Sequence, residues 1–325
     1  MRFGMFLGDT GPNQKSLVDL AAEAGWLERN RFAHGWLPYV PWSFDPFVAL
    51  TVVAAGTTSL ELGTAVVPTY PFHPMAMARS ALTVQAASGG RLSLGIGPSH
   101  RVVIEGMYGY SYSRARAHTA EYLAALHRAF ALDGRAEAHG DFFEYSSIFT
   151  VPGATTGATT GAATLRSPSV LIAALAPKML QLAGEHADGT ILWLADEHAL
   201  QTHVLPRISS AAHAAGRPTP RIISCMPTAV CDDEAAGRSQ AAKVYATYRA
   251  IPTYQRMLEA GASENPEDVV LVGTAARIGA RLERWAELGV TDVVFAPFPL
   301  RDDPAGSVER TREALAGLAT SGRFG

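Results

Sequence analysis

Residues 60–97 read LELGTAVVPTYPFHPMAMARSALTVQAASGGRLSLGIG. An apolar run over Leu60–Val67 gives way to a stiff turn, Pro68-Thr69-Tyr70-Pro71-Phe72-His73, whose two prolines fix the backbone. Pro74 stands where a helix tolerates proline, at its first position, with His73 near the cap. A helical stretch over Pro74–Ala87 follows, and then a second apolar run over Arg91–Gly97. Apolar strands on either side of one helix make a parallel pair with a crossover connection.

The same alternation extends in both directions. Upstream lie strands at Phe3–Leu7 and Phe32–Leu37, with helices at Leu17–Ala24 and Phe47–Ala55. Downstream, a helix over Arg114–Leu132 precedes strands at Val170–Leu175, Thr190–Ala195, Arg221–Val230 and Asp292–Ala296. Helices over Pro177–Ala187 and Ala199–Ala215 separate them. Ile278, Leu282, Trp285 and Leu288 recur at helical spacing before the last strand, as Thr311, Ala314, Leu315 and Leu318 do after it. Most of the eight strands are rich in Val, Ile and Leu rather than cleanly alternating, as strands covered on both faces should be. Eight such units predict an α/β fold of the (β/α)8 TIM-barrel type, with residues 1–325 as one domain. An open doubly wound sheet is the competing fold. Against it, no G-x-G-x-x-G opens the first helix, and Pro12 makes Gly8-Asp9-Thr10-Gly11-Pro12 a poor pyrophosphate turn. Two insertions interrupt the pattern: a small, polar, Thr/Gly-rich segment near 153–167, read as a flexible loop, and a helical segment near 249–268, read as packing over one end or as a lid.

Composition narrows the function. Hydrophobic residues make up 48% of the 325 positions and charged residues 18%, so the chain can bury a large core. A formal net charge of −3 supplies no field for a nucleic-acid backbone. No apolar stretch is long enough to span a membrane, and the first apolar run is too short for a signal peptide. Cys225 and Cys231 sit in one predicted strand, too far apart to bridge, so free thiols in a cytoplasmic protein are expected. No metal-ligand spacing and no G-x-S-x-G elbow occur.

In a barrel of this kind the chemistry sits where strands end. After the strand ending at Gly97 come Pro98, Ser99 and His100, with Glu105 in the same loop. Gly95 and Gly97 allow close backbone approach to a flat ligand. His100 and Glu105 are the candidate acid/base pair. After the next strand, Ala176-Pro177-Lys178 opens a helix. A helix start carries free N–H groups and positive potential, so one of only three lysines placed there points to an anion, a phosphate, with a solvated surface lysine as the alternative. Trp193, at a strand end, is either a wall for a flat ring or an ordinary core aromatic.

These stretches resemble the luciferase-like monooxygenase superfamily, and within it the branch assigned to coenzyme F420. The resemblance runs nearly the whole chain, through Gly35-Trp36-Leu37-Pro38, Glu61–Pro71 with His73-Pro74, Ala81–Ala87, Leu94–Gly97 with Ser99-His100, Val103–Met107, Ala183-Gly184-Glu185, Ala187-Asp188-Gly189 and Gly289–Asp292. It implies a luciferase-like barrel with an insertion and a deazaflavin or FMN across the strand ends. A non-prolyl cis peptide at about Ala65-Val66, followed by Val67, would press on the cofactor ring, and the cofactor phosphate would sit near Ala176-Pro177-Lys178. The resemblance also implies a homodimer acting on a small molecule. Many relatives have glycine where Ala176 stands, so a methyl group there could crowd the phosphate. Three functions follow as expectations: hydride transfer between coenzyme F420 and an organic substrate, an FMN-dependent two-component monooxygenase, or a non-catalytic flavin-binding barrel.

Overall fold

The computed structural model describes residues 1–8, 15–152 and 166–324. The Thr/Gly-rich insertion read over 153–167 therefore lies, from 153 to 165, outside the described residues. The chain begins with β1 (Arg2–Phe6), α1 (Leu17–Arg29), β2 (His34–Leu37), α2 (Pro46–Ala55), β3 (Glu61–Thr64) and β4 (Val67–Pro68). It continues through α3 (Pro74–Ala87), β5 (Leu92–Gly97), α4 (Arg101–Gly106), α5 (Ala115–Phe130), β6 (Arg135–His139), β7 (Glu144–Ile148) and β8 (Ser169–Ala173). Then come α6 (Pro177–His186), β9 (Gly189–Trp193), α7 (Glu197–Ala199), a π-helical segment (Leu200–Val204), α8 (Leu205–Ala214) and β10 (Arg221–Val230). The last stretch holds α9 (Glu234–Val244), a 3-10 turn (Ala246–Ala250), α10 (Pro252–Ala260), α11 (Pro266–Val269), β11 (Leu271–Gly273), α12 (Ala275–Leu288), β12 (Asp292–Pro297) and α13 (Pro304–Thr320).

All eight expected strands are present. Their bounds move by one or two residues, and the third differs in kind. It was expected as one run over Leu60–Val67, but β3 stops at Thr64, a cis Ala65–Val66 peptide follows, and β4 resumes at Val67. The expected helix over Ala199–Ala215 is a composite in which the π-helical turn joins α7 to α8. The expected helical insertion near 249–268 contains α10 and α11.

The described chain divides into two compact units: Met1–Phe6, Trp26–Gly35 and Ala174–Gly325 form unit one, and Leu7–Gly25 with Trp36–Ala173 form unit two. In unit two, β5 is central and pairs in parallel with β3, β4 and β8 (Leu62↔Leu92, Val67↔Ile96, Leu94↔Val170). Leu62, Leu94, Ile96, Leu171 and Ile172 are fully buried there, as the continuous apolar runs require. The helices start where their caps dictate. Asp45 accepts hydrogen bonds from the N–H groups of Phe47 and Val48 ahead of α2, and His73 Nδ1 accepts one from Met75 ahead of α3. An antiparallel hairpin of β6 and β7, with Arg135 opposite Ile148, follows α5; the sequence reading assigned no element there.

In unit one, β10 pairs in parallel with β9, β12 and, at its end, β11, while β12 pairs with β1 (Phe3↔Val293). Gly184 of α6 faces α8: a Cβ there would stand 2.4 Å from the Ile208 carbonyl oxygen and 2.8 Å from Ala211 Cβ. At the base of this sheet Asp292 is fully buried. Its carboxylate lies 3.1 Å from His34 Nε2, 3.0 Å from an Arg221 guanidinium nitrogen and 2.5 Å from one of Arg2. Thr291 Oγ1 donates to it as well, at 2.6 Å. Burial alone would push this carboxyl up, but His34 and Arg221 overrule it and hold it well below the usual carboxylate range.

Candidate active site

Unit two holds the first group of expected site residues, namely Ala65, Val66, Val67, Gly97, Ser99, His100 and Glu105. The cis peptide implied by the resemblance is at Ala65–Val66. Thr64 Oγ1 donates to the Gly95 carbonyl (2.8 Å) and accepts from the Gly95 N–H (2.9 Å), so the end of β3 is tied to β5 beside this bulge. Gly95 and Gly97 have a reason of their own here. A Cβ on Gly95 would lie 2.0 Å from the Thr64 carbonyl oxygen, and one on Gly97 would lie 3.2 Å from Val66 Cγ2 and 3.0 Å from Ala173 Cβ. Gly95 is required by the end of β3, and Gly97 by Val66 of the bulge together with Ala173 of β8.

Beyond β5, Ser99 takes a left-handed conformation (φ 61°), and Tyr112 donates to its carbonyl at 3.1 Å. His100 caps α4 with its backbone carbonyl, which accepts from Val103 and Ile104. Its ring makes no capping bond to that helix, and burial pushes its pKa down, so it is neutral near pH 7 and can accept a proton. Glu105, one turn into α4, is partly exposed, ion-paired to Arg101 at 2.5 Å and accepting from the Tyr112 N–H at 3.1 Å. Sequence reasoning missed the rings around this loop. Tyr70 stacks on His118 at 4.0 Å and 2°, lies 5.3 Å from Tyr112, and donates to the Ser113 carbonyl. Burial pushes His118 down to about 4. Tyr70 was visible as part of a rigid turn, whereas His118 lies inside the periodic pattern of α5 and carries no local signal.

Unit one holds Ala176, Pro177, Lys178 and Trp193. Ala176 is the N-cap of α6, in extended backbone (φ −76°, ψ 147°), and no side chain caps the helix. That conformation needs no glycine. Lys178 is exposed, stands in the first turn, and forms no ion pair among the described residues. The turn's own geometry is fixed from behind: His203, in the π-helical segment, lies with Nε2 2.7 Å from the Leu175 carbonyl oxygen. A helix start without a side-chain cap, with an unpaired lysine and no acidic residue in its first turn, suits a phosphate. Trp193 ends β9 and is half-buried among Phe6, Tyr245 and Tyr248. The tyrosines come from the segment after α9, just ahead of the helical stretch read near 249–268, where the sequence reading assigned no element. The two groups of expected residues thus fall in different units, each coherent in itself.

The family description "Luciferase-like monooxygenase" matches residues 1–292. The chain belongs to this family. A 5,10-methylenetetrahydromethanopterin reductase of Methanolobus tindarius is 26% identical over 318 residues, 97% of this chain and 91% of that one. Among solved structures, the monooxygenase RslO1 from Streptomyces bottropensis superposes with a TM-score of 0.75 at 21% identity, covering 98% of each chain. The coenzyme F420-dependent tetrahydromethanopterin reductase from Methanopyrus kandleri does so with a TM-score of 0.75 at 18% identity, covering 97% of each. The fold is the luciferase-like (β/α)8 barrel, and the protein is an oxidoreductase of that class.

Proposed function

We propose that this protein is a coenzyme F420-dependent oxidoreductase acting on a small organic substrate. When bound, the deazaflavin would supply or take up the hydride. The observation that carries the reading is the uncapped start of α6, with Lys178 unpaired in its first turn among the described residues. An uncapped helix start with one free cation suits a cofactor phosphate, and a relative that matches most of the chain is named as an F420-dependent dehydrogenase. Within unit two, His100 moves the substrate proton. Burial disfavours its charged form, so the imidazole enters the reaction neutral. Glu105 is committed to Arg101 and the Tyr112 N–H, and holds the loop after β5 in place.

The family description and the likeness to RslO1 favour a second reading, an FMN-dependent monooxygenase. Anaerobic turnover separates the two, because a monooxygenase stops without oxygen and a deazaflavin-linked dehydrogenase does not. The test is incubation of the purified protein with F420 and with FMN, followed by gel filtration. Deazaflavin absorbance retained with the protein supports the proposal; tight FMN retention with no F420 overturns it.

A further inference from the structure

Three strand ends of unit one carry aromatic rings. Phe6 ends β1, Trp193 ends β9, and Phe298 directly follows β12. The segment after α9 lays three tyrosines against them. Tyr245 lies 6.2 Å from Trp193 and 5.6 Å from Phe298; Tyr248 lies 6.0 Å from Trp193; Tyr254 lies 4.9 Å from Tyr248 at 81°. Ordinary packing would seal such a cluster. Here only the floor is sealed: Phe6 is 9% exposed and Phe298 2%. Trp193, Tyr245, Tyr248 and Tyr254 all keep accessible surface. Yet burial pushes the phenols of Tyr248 and Tyr254 up, as it does for groups deep among protein atoms. The four rings thus combine ring-to-ring packing with retained accessible surface.

The chemistry of the wall is equally one-sided. Among the described residues, the arginines that stack on rings are Arg79, Arg101, Arg114, Arg312 and Arg323, and each lies over an aromatic elsewhere. Arg249, next to Tyr248 in sequence, is ion-paired with Glu267. A charged ligand would find no stacked guanidinium on these rings, since the ring-stacking arginines among the described residues all lie elsewhere. A flat ring would gain edge-to-face and offset contacts from rings already set at steep angles to one another.

We propose that Trp193, Tyr245, Tyr248 and Tyr254 form a substrate wall that selects a planar, uncharged, aromatic or conjugated organic molecule. The proposal rests on the oxidoreductase reading above for the word substrate, and on unit one alone for the binding chemistry. The wall lies at strand carboxyl ends, where this fold places its reactions.

Calorimetric titration of the full chain with 2-naphthol, decahydro-2-naphthol and 2-naphthalenesulfonate tests it, with and without saturating F420. The expected result is that 2-naphthol binds at least about tenfold more tightly than the saturated alcohol or the sulfonate, two ring contacts sufficing for that difference. Tyr248→Leu should weaken 2-naphthol by about three- to tenfold, and Tyr248→Phe should restore it. F420 should leave 2-naphthol affinity unchanged. Equal affinity for the three probes, no binding of any, competition by F420, or indifference to Tyr248→Leu would each overturn the proposal. Should Tyr248→Leu not fold, the ranking of probes on the unaltered protein decides. If 2-naphthol behaves as expected while F420 fails to bind, the wall stands and the cofactor assignment falls; the reverse pattern removes the wall alone.

Discussion

Gly4 has no side chain because His34 occupies the space. A Cβ there would sit 1.7 Å from His34 Nδ1 and 2.3 Å from the His34 carbonyl oxygen. That imidazole in turn meets the buried Asp292 carboxylate. Gly4→Ala should therefore cost about 3 kcal/mol or more, at or above the upper end of overpacking effects, read from the denaturant midpoint. Asp292→Ala strands Arg221 and His34 and should cost about 3–5 kcal/mol. The pH dependence has a definite sign. Asp292 is held below its unfolded value of about 3.9, so its stabilisation is complete above that value and is lost as pH falls through and below it. Asp292→Asn should be less stable at pH 7 and should lose less stability than the parent between about pH 5 and 2; an unchanged acid limb would contradict this. None of this network was legible in the sequence. Arg2, Gly4, His34, Arg221 and Asp292 are far apart along the chain, and each looks like an ordinary strand-edge residue. Lys178 was legible, because a cation at a helix start violates a local rule that needs no tertiary information.

At the scale of elements, α6 shows a conflict between stability and binding. Its N-cap is Ala176, which offers no side-chain acceptor although its extended backbone would suit one. Ala176→Asp should cap the helix and raise the stability of the cofactor-free protein by about 1 kcal/mol. The same carboxylate should repel a phosphate and weaken F420 binding by about tenfold or more, one kcal/mol-scale repulsion sufficing. A thermal melt and a titration on one variant check both signs; a parallel rise in stability and affinity would refute the phosphate assignment. His203→Ala removes the hydrogen bond to the Leu175 carbonyl that holds the turn into α6, and should weaken cofactor binding by up to about tenfold. The alternation of strand and helix located α6 and seven other helices, most of them one-faced. It missed the β6–β7 hairpin, whose strands Arg135–His139 and Glu144–Ile148 are short, largely polar and mostly exposed. It also joined β3 to β4, since Leu60–Val67 is largely apolar and nothing local marks the break at Ala65–Val66.

At the scale of the molecule, the eight alternating units were sufficient for the fold, since parallel strands buried on both faces leave few other architectures. The site was legible only in part. Ser99, His100 and Ala176–Lys178 announce themselves by position after a strand, whereas the ring clusters of each unit, Tyr70 with His118 in one and Trp193 with Tyr245 and Tyr248 in the other, form by packing that no local pattern encodes. The functional reading turns on a phosphate-bearing deazaflavin held at the start of α6. Its most direct test is spectrophotometric titration of F420 into the protein and into Lys178→Ala. The expected result is saturable binding to the protein, weakened about five- to tenfold in the variant, as for loss of one partly exposed charged contact. Absence of F420 binding, or equal affinity in the two proteins, would contradict it.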